Sequence, residues 1–471
     1  MRKTKIICTI GPASNSEEIL KKFCIAGMNA ARFNMSHGTY EWHKDAMDKV
    51  KKVREELNMP IPIILDTKGP EYRIGTFETK EIILYDGASF TFTTDDIIGN
   101  NERVSVSYKN LHEELSPGDV IYVNNGLVQF KVDVIYGHDI HCTVKIGGKL
   151  SDRKSMSFPG KVLHQEFLSE QDKQDLLFGI ENEVDFVAAS FVSCKQDVCD
   201  MRAFLDANGG RNIDIIAKIE NQSGVDNIEE ICEVCNGVMV ARGDLGIEIP
   251  FEKVPACQKQ LITVCRMRGK RVITATEMLE SMIYNPRPTR AEISDVANAV
   301  YDGTSAVMLS AESASGHYPV EAVTVMHEIC AETEQHVEYK KQFHDTEFVI
   351  RNNIDAISHS ACNMAIATQA KAIAVCSLSG TTVRLVSRFR PVADIVGLTT
   401  DRKEWRKLAL SWGVIPVLVD EYPTPDVVFY YAYLETIKLL ELKSGDNMII
   451  VGGSIGGRAG INNTIRLEQV K

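Results

Sequence analysis

Two short stretches, Lys218-Ile219-Glu220-Asn221 and Ala241-Arg242-Gly243-Asp244, hold the side chains best suited to chemistry. Each follows a run typical of a buried strand, residues 213–217 and 237–240. Side chains alternate along a strand, so Lys218 and Glu220 are expected on one face, and Arg242 and Asp244 likewise. An ammonium beside two carboxylates is costly packing but useful chemistry. The carboxylates can hold a divalent cation, and the lysine can neutralise charge on a transferring phosphoryl group.

The elements that must position these groups alternate in a βα rhythm. Strands are expected at 5–10, 29–33, 61–66, 184–189, 213–218, 237–241, 271–276 and 305–310, with amphipathic helices such as 16–26, 43–57 and 251–269 between them. Eight consecutive βα units favour an α/β fold of the closed (β/α)8 TIM-barrel type over an open sheet. From Glu71 to about Phe167 the helical pattern gives way to short alternating runs. Pro117-Gly118-Asp119, Asn125-Gly126 and Gly147-Gly148 punctuate them. An inserted small β-barrel domain here would sit over the mouth as a lid. After about Gln335 a charged stretch leads to a helix at 354–370, a strand at 372–376 and a helix at 381–389, the start of a C-terminal α/β domain. The expected division is 1–70 and 167–337 for the barrel, 71–166 for the lid and 338–471 for the C-terminal domain.

Composition is that of a soluble globular chain, 471 residues with 44% hydrophobic and 25% charged residues. A net charge of −12 argues against general affinity for nucleic acid or an anionic membrane. No apolar run approaches a membrane span, and residues 6–10 are too short for a signal-peptide core. Twelve cysteines without a small-domain disulfide spacing fit a reduced cytoplasm. Cys232 and Cys235 form a C-x-x-C pair in a helical context with no second ligand pair, which reads as helix packing. Metal chemistry here is therefore expected to use oxygen ligands.

In such a barrel the reactive groups come from the C-terminal ends of different strands. The second strand ends in Arg32-Phe33-Asn34-Met35-Ser36-His37-Gly38 and the third in Asp66-Thr67-Lys68-Gly69-Pro70-Glu71-Tyr72-Arg73. The seventh ends in Thr276-Glu277 and the eighth in Ser310-Ala311-Glu312. Gly243 lets backbone amides approach a carboxylate or phosphate closely. Thr276 offers a hydroxyl for a substrate carboxylate or a proton relay, though a helix N-cap would explain it as well. Any one of these could be a solvated strand end; so many at one rim are harder to explain that way.

These motifs, with Ala275-Thr-Glu-Met-Leu-Glu-Ser-Met and Met308-Leu-Ser-Ala-Glu, occur in the order found in pyruvate kinases, and the chain resembles that family over essentially its whole length. The resemblance implies phosphoryl transfer from phosphoenolpyruvate to ADP, giving pyruvate and ATP. It implies that Glu220 and Asp244 hold Mg2+ or Mn2+, and that Lys218 and Arg32 stabilise the transferring group. Asn34, Ser36, Asp66 and Thr67 match a K+ site, and Glu71 matches members that require potassium. Gly243, Asp244 and Thr276 would bind substrate, and Asn34, His37 and Arg73 the nucleotide. Thr276 or Ser310 would order the proton relay to the enolate. A homotetramer is implied too.

Some positions depart from the family. Gln171 stands where a lysine is usual, Glu277 where glutamine is common, Glu166 at a usual proline and Ala311 at a common glycine. In the C-terminal domain Ser377-Leu378-Ser379-Gly380-Thr381-Thr382 lies between a strand and a helix, with Arg458 in a later Gly-rich stretch. The resemblance makes this a sugar-phosphate effector pocket; a plain helix cap is the alternative. Neither stretch is a P-loop, since no Gly-Lys-Ser/Thr follows. Two other functions remain open at this point: a barrel aldolase in which Lys218 forms a Schiff base, and a regulatory phosphosugar-binding protein without turnover.

Overall fold

A computed structural model describes residues 2–161, 163, 166–421, 424–453 and 462–471. Eight parallel strands close into a barrel. They are Lys5–Thr9, Ala30–Asn34, Ile63–Asp66, Phe186–Ala189, Asp214–Ile219, Gly237–Ala241, Arg271–Ala275 and Ala306–Leu309. Each falls on an expected strand, within two residues at either end. Ladders join neighbours in order, and the first strand pairs with the eighth, Lys5 opposite Ala306.

Period-two alternation sorts the side chains. Ile7, Ala30, Ile64, Phe186, Ala188, Ile216, Met239, Ile273 and Met308 pack together inside the barrel. Their neighbours, among them Ile6, Leu65, Val187, Ile215 and Val240, face the surrounding helices. The inward register has a consequence at the rim. Two residues beyond Ala30, Ile64, Ala188 and Ile216 come Arg32, Asp66, Ser190 and Lys218, so the apolar interior gives way to charge.

The insert holds a seven-stranded sheet and a two-stranded ribbon, Glu81–Leu84 with Gly148–Ser151. It has its own core around Phe90, Phe92 and Phe130. One short helix, Leu111–Glu114, interrupts the expected run of strands. Both limbs joining the insert to the barrel are tied together. Strand Ser155–Ser157 pairs with Tyr72–Arg73, and the Gly69 N–H donates to Asp172 at 3.0 Å. The C-terminal domain is a five-stranded sheet whose central strand, Ala372–Cys376, pairs with Asp394–Thr399 and Asn447–Gly452. No helix among the described residues is long and apolar enough to cross a membrane. Cys232 lies on the helix Ile228–Val234 with Cys235 just beyond it; both are buried and free, as the packing reading expects.

The C-terminal domain is bolted to the barrel floor by charge. Asp214 and Arg271 open the fifth and seventh barrel strands and pair at 2.9 Å, and Lys407 reaches Asp214 at 2.9 Å. Lys407 continues to Glu404 at 2.9 Å, and Glu404 to Arg384 at 2.9 Å. Burial alone would raise the Asp214 carboxyl, but Arg271 and Lys407 outweigh it and hold it at about 2. A carboxylate depressed from 3.8 contributes stability that is complete above its unfolded pKa and is lost as pH falls through the folded one. The shift corresponds to roughly 2 kcal/mol, and removing one partner of a buried pair costs about 3–5 kcal/mol. Asp214→Asn should therefore lower the thermal midpoint at pH 7 and flatten the acid-side loss of stability between pH 4 and 2. Scanning calorimetry across that range reads both effects.

Candidate active site

Arg32 and Lys218 converge on one carboxylate. Arg32 Nε donates to Asp66 Oδ2 at 2.6 Å, and Lys218 Nζ lies 3.1 Å from Asp66 Oδ1. Lys218 also meets Glu220 Oε1 at 3.0 Å and donates to the Ser190 hydroxyl at 2.7 Å. All of these groups are buried, Asp66 completely. Burial works against the Lys218 ammonium, yet Asp66 and Glu220 more than offset it and hold its pKa above the ordinary lysine value. Burial likewise opposes the Asp66 carboxylate, and Arg32 with Lys218 pulls its pKa below normal. Glu220 is the strained member. Burial pushes its carboxyl up, Lys218 pulls it back, and the charge of Asp244 adds repulsion.

Asp244 does not reach this rim by strand alternation. The chain leaves the sixth strand at Ala241 and turns at once into the helix Arg242–Glu248. The expectation that Arg242 and Asp244 share a strand face is therefore corrected. Arg242 turns away to Asp295 at 2.7 Å and donates to the Thr276 and Glu277 carbonyls at 2.7 and 3.2 Å. Asp244 stays exposed and close enough to raise Glu220 electrostatically.

Among the described residues no three or more His, Cys, Asp and Glu side chains gather as a ready metal cage. Two carboxylates, Glu220 and Asp244, repel each other at an open rim. That donor set fits a hard divalent cation, which would relieve the repulsion and keep positions free for substrate oxygens and water. The candidate monovalent ligands Asn34, Ser36 and Thr67 offer neutral oxygens, and Asp66 a carboxylate. Asn34 sits opposite Asp66 in the ladder, Asn34 Oδ1 accepts the Ser36 N–H at 3.1 Å, and the Thr67 hydroxyl lies 3.3 Å from the Ala188 carbonyl.

Backbone strain marks the same rim. Phe191, Thr276 and Glu277 have φ of 57°, 71° and 52°. A β-branched residue in that region is an outlier, at a cost of about 1–3 kcal/mol. Arg242 holds the Thr276 and Glu277 carbonyls in place, and the Thr276 hydroxyl donates to Ala275 O at 2.6 Å and accepts the Gly243 N–H at 2.7 Å. The strained Phe191 aims its N–H at Glu220 Oε2, 2.6 Å away. A Cβ on Gly243 would make ordinary contacts of 3.5 Å or more with Thr276, so the protein itself leaves room there. Ser310 starts a helical turn, its N–H on Glu312 at 2.7 Å.

Around the centre, His37 is exposed, and its carbonyl accepts from the His43 ring at 2.7 Å. Arg73 on the insert pairs with Glu71 at 2.6 Å and donates to the Arg153 carbonyl at 2.7 Å, while its buried Nε has no hydrogen-bond partner among the described residues. Gln171 binds the Tyr40 hydroxyl and Asp175, both at 2.9 Å; Lys173 pairs with Glu170 at 2.7 Å and more loosely with Glu166 at 3.5 Å. Glu277 is exposed, and Ala311 opens the short helix Ala311–Ala314.

In the C-terminal domain Ser379 and Thr381 hydroxyls meet at 3.1 Å before the helix Thr381–Arg388, and Ser377 N–H is used by Leu398. Gly380 caps that helix at φ 65°, where a Cβ would strike Glu404; Thr382 is buried. Arg458 lies outside the described residues. Two residues that sequence reasoning missed are Ser190, on Lys218, and Thr9, whose hydroxyl accepts from Arg32 at 3.0 Å. Their signal was only position: each is a hydroxyl at the end of a barrel strand.

Comparison with known proteins bears on all of this. A family model for the pyruvate kinase barrel domain matches residues 1–323, and one for the pyruvate kinase alpha/beta domain matches 355–468. Pyruvate kinases of Clostridium acetobutylicum and Clostridium perfringens are each 44% identical, over 100% of this chain and 100% of theirs. The pyruvate kinase of Staphylococcus saprophyticus is 44% identical over 100% of this chain and 81% of its own. A crystal structure of a pyruvate kinase from Cryptosporidium parvum superposes with a TM-score of 0.94 at 37% identity, covering 99% of this chain and 96% of that one. With its closed barrel, its inserted β domain and its charged rim, the chain belongs to the pyruvate kinase family.

Proposed function

We propose that the chain transfers the phosphoryl group of phosphoenolpyruvate to ADP, giving pyruvate and ATP. The observation that carries the reading is the Lys218 ammonium, clamped between Asp66 and Glu220 at 3.1 and 3.0 Å in a chain of this family. Phosphoryl transfer needs positioning and charge neutralisation more than covalent help. Lys218 and Arg32 would supply fixed positive charge to the group in flight, at no cost of reorganisation during the step.

Glu220 and Asp244 would hold Mg2+ or Mn2+, which when bound screens phosphoryl and enolate charge. The K+ site would draw on Asn34, Ser36, Asp66 and Thr67. The Gly243 N–H, which donates to the Thr276 hydroxyl at 2.7 Å, and that hydroxyl, which donates to Ala275 O at 2.6 Å, are the donors that would turn to the substrate carboxylate. Asn34, His37 and Arg73 would face the nucleotide. After transfer the enolate takes a proton; Thr276 or Ser310 would order the water that delivers it, because a neutral hydroxyl is itself a poor acid. A Schiff-base reading of Lys218 loses ground, since two carboxylates keep its amine protonated and unreactive.

Further parts of the reading rest on family membership. The chain would act in the cytoplasm as a homotetramer. Ser377, Ser379, Gly380, Thr381, Thr382 and Arg458 would take a sugar phosphate, and no nucleic acid or membrane is a partner. The net charge of −12 supports the last point.

The test is ATP formation from phosphoenolpyruvate and ADP with Mg2+, with and without K+, and with added sugar phosphates. Turnover that rises at least tenfold with K+ is expected; full activity with no monovalent cation would remove the potassium site. Absence of turnover under every condition would favour a regulatory binding protein. Ser190→Ala should lower kcat about tenfold while leaving the thermal midpoint within a few degrees. A hydrogen bond to a charged group is worth about 1.5–3 kcal/mol, and this one orients the ammonium.

A further inference from the structure

The exposed turn that carries Ser36 and His37 is held from two sides. From within, Asn34 accepts the Ser36 N–H through Oδ1 at 3.1 Å and the His37 N–H through its carbonyl at 3.3 Å. From the flanking helix, Tyr40–Glu56, His43 closes on it. The ring Nε2 lies 2.7 Å from the His37 carbonyl oxygen. A carbonyl has no proton to give, so Nε2 carries the hydrogen and donates. His43 is 2% exposed, and little water competes for that donor. The other ring nitrogen, Nδ1, is buried with no hydrogen-bond partner among the described residues, which leaves the His37 contact as the polar task of the ring.

Packing holds the imidazole to that task. Its ring meets Phe33, the strand residue before Asn34, edge-on with centroids 6.1 Å apart. On the other side Gly38 has φ of 84°, and a Cβ there would come within 3.2 Å of Nε2. Glycine at 38 thus meets two demands, the left-handed backbone of the turn and the close approach of the ring. The helix that delivers His43 is itself fixed. Thr39 caps it, its hydroxyl accepting the Trp42 N–H at 3.3 Å. Tyr40 donates to Asp175 at 2.6 Å and stacks on Phe178 at 4.8 Å, both on the helix Glu170–Glu181.

We infer that His43 is a positioning residue: through the His37 carbonyl it fixes the turn that presents Ser36 to K+ and His37 to the nucleotide. The inference rests on the phosphoryl-transfer reading, which gives Ser36 and His37 those ligands. Loss of the contact is therefore felt at K+ and at ADP. The divalent cation is spared, because its candidate ligands Glu220 and Asp244 lie beyond the fifth and sixth strands.

The experiment uses the full chain with His43→Leu, His43→Gln, Gly38→Ala and Val50→Ala. Glutamine places an N–H where Nε2 stands, and leucine fills the space without a donor. Val50 is buried on the same helix about two turns further on, so its alanine variant reports what loosening the helix alone does. The K+ concentration for half-maximal turnover is read with phosphoenolpyruvate, ADP and Mg2+ saturating. ADP affinity is measured by calorimetry with Mg2+ and K+ present, and Mn2+ affinity by titration without nucleotide. His43→Leu is expected to raise the half-activating K+ and the ADP Kd by about five- to twentyfold. Its kcat at saturating K+ and its Mn2+ affinity should stay within about threefold of wild type, and His43→Gln should return K+ and ADP to the same margin. Gly38→Ala, which crowds the ring, should share the leucine defect, and it decides the matter if His43→Leu fails to fold. Unchanged K+ and ADP responses in His43→Leu overturn the inference. So does a glutamine variant as damaged as leucine, an equal fall in Mn2+ affinity, or the same defect in Val50→Ala, since each assigns His43 to helix packing. A wild type that binds ADP without turnover sinks the phosphoryl-transfer reading alone, and calorimetry still decides the His43 comparison.

Discussion

Asp66 binds two cations with one carboxylate, Arg32 through Oδ2 and Lys218 through Oδ1, at the point where the barrel interior meets solvent. Much else depends on that contact. Without it, two like charges would face each other in a buried space, and removing one partner of such a set costs about 3–5 kcal/mol. With it, the positive charges are fixed in direction before any substrate arrives. Glu220 completes the balance on the other side of Lys218. The group is expensive to assemble, and the barrel supports it with Ser190, Thr9 and the Phe191 N–H.

The same economy of fixed groups extends along the rim. Thr276 and Glu277 sit at positive φ because Arg242 grips their carbonyls, and Arg242 is in turn anchored on Asp295. The Arg242 side chain thus works as a brace. Rigid placement here contrasts with the insert, whose connection to the barrel is two paired limbs and a few polar contacts. At the opposite end of the barrel, the chain of ion pairs from Arg271 to Arg384 ties the C-terminal domain to strands whose far ends carry Lys218 and Thr276. Charge is therefore concentrated at both ends, with an apolar interior between.

Much of this was legible in the sequence, for physical reasons. Fully buried parallel strands are short apolar runs, and the polar residue that ends each run marks the rim, so Arg32, Asp66, Lys218 and Glu220 could be grouped from strand ends alone. The loss of helical periodicity after Glu71 likewise exposed the insert. Other features depend on partners remote in sequence. Arg242 looked like a neighbour of Asp244 because a strand run gives no warning of a helix that starts on the next residue. Its true partner, Asp295, lies on another helix. Ser190 and Thr9 carry no motif, being single hydroxyls whose value comes from what the barrel sets beside them.

The central claim is that Lys218 acts as a fixed, protonated charge on the transferring phosphoryl group. Its most direct test is steady-state ATP formation from phosphoenolpyruvate and ADP by Lys218→Met, beside wild type, at saturating Mg2+ and K+. Loss of one such preorganised group should lower kcat by about 10²–10³-fold. The KM for ADP should stay within a few-fold, because that ligand meets other residues. A Lys218→Met protein that keeps kcat within threefold of wild type would contradict the account.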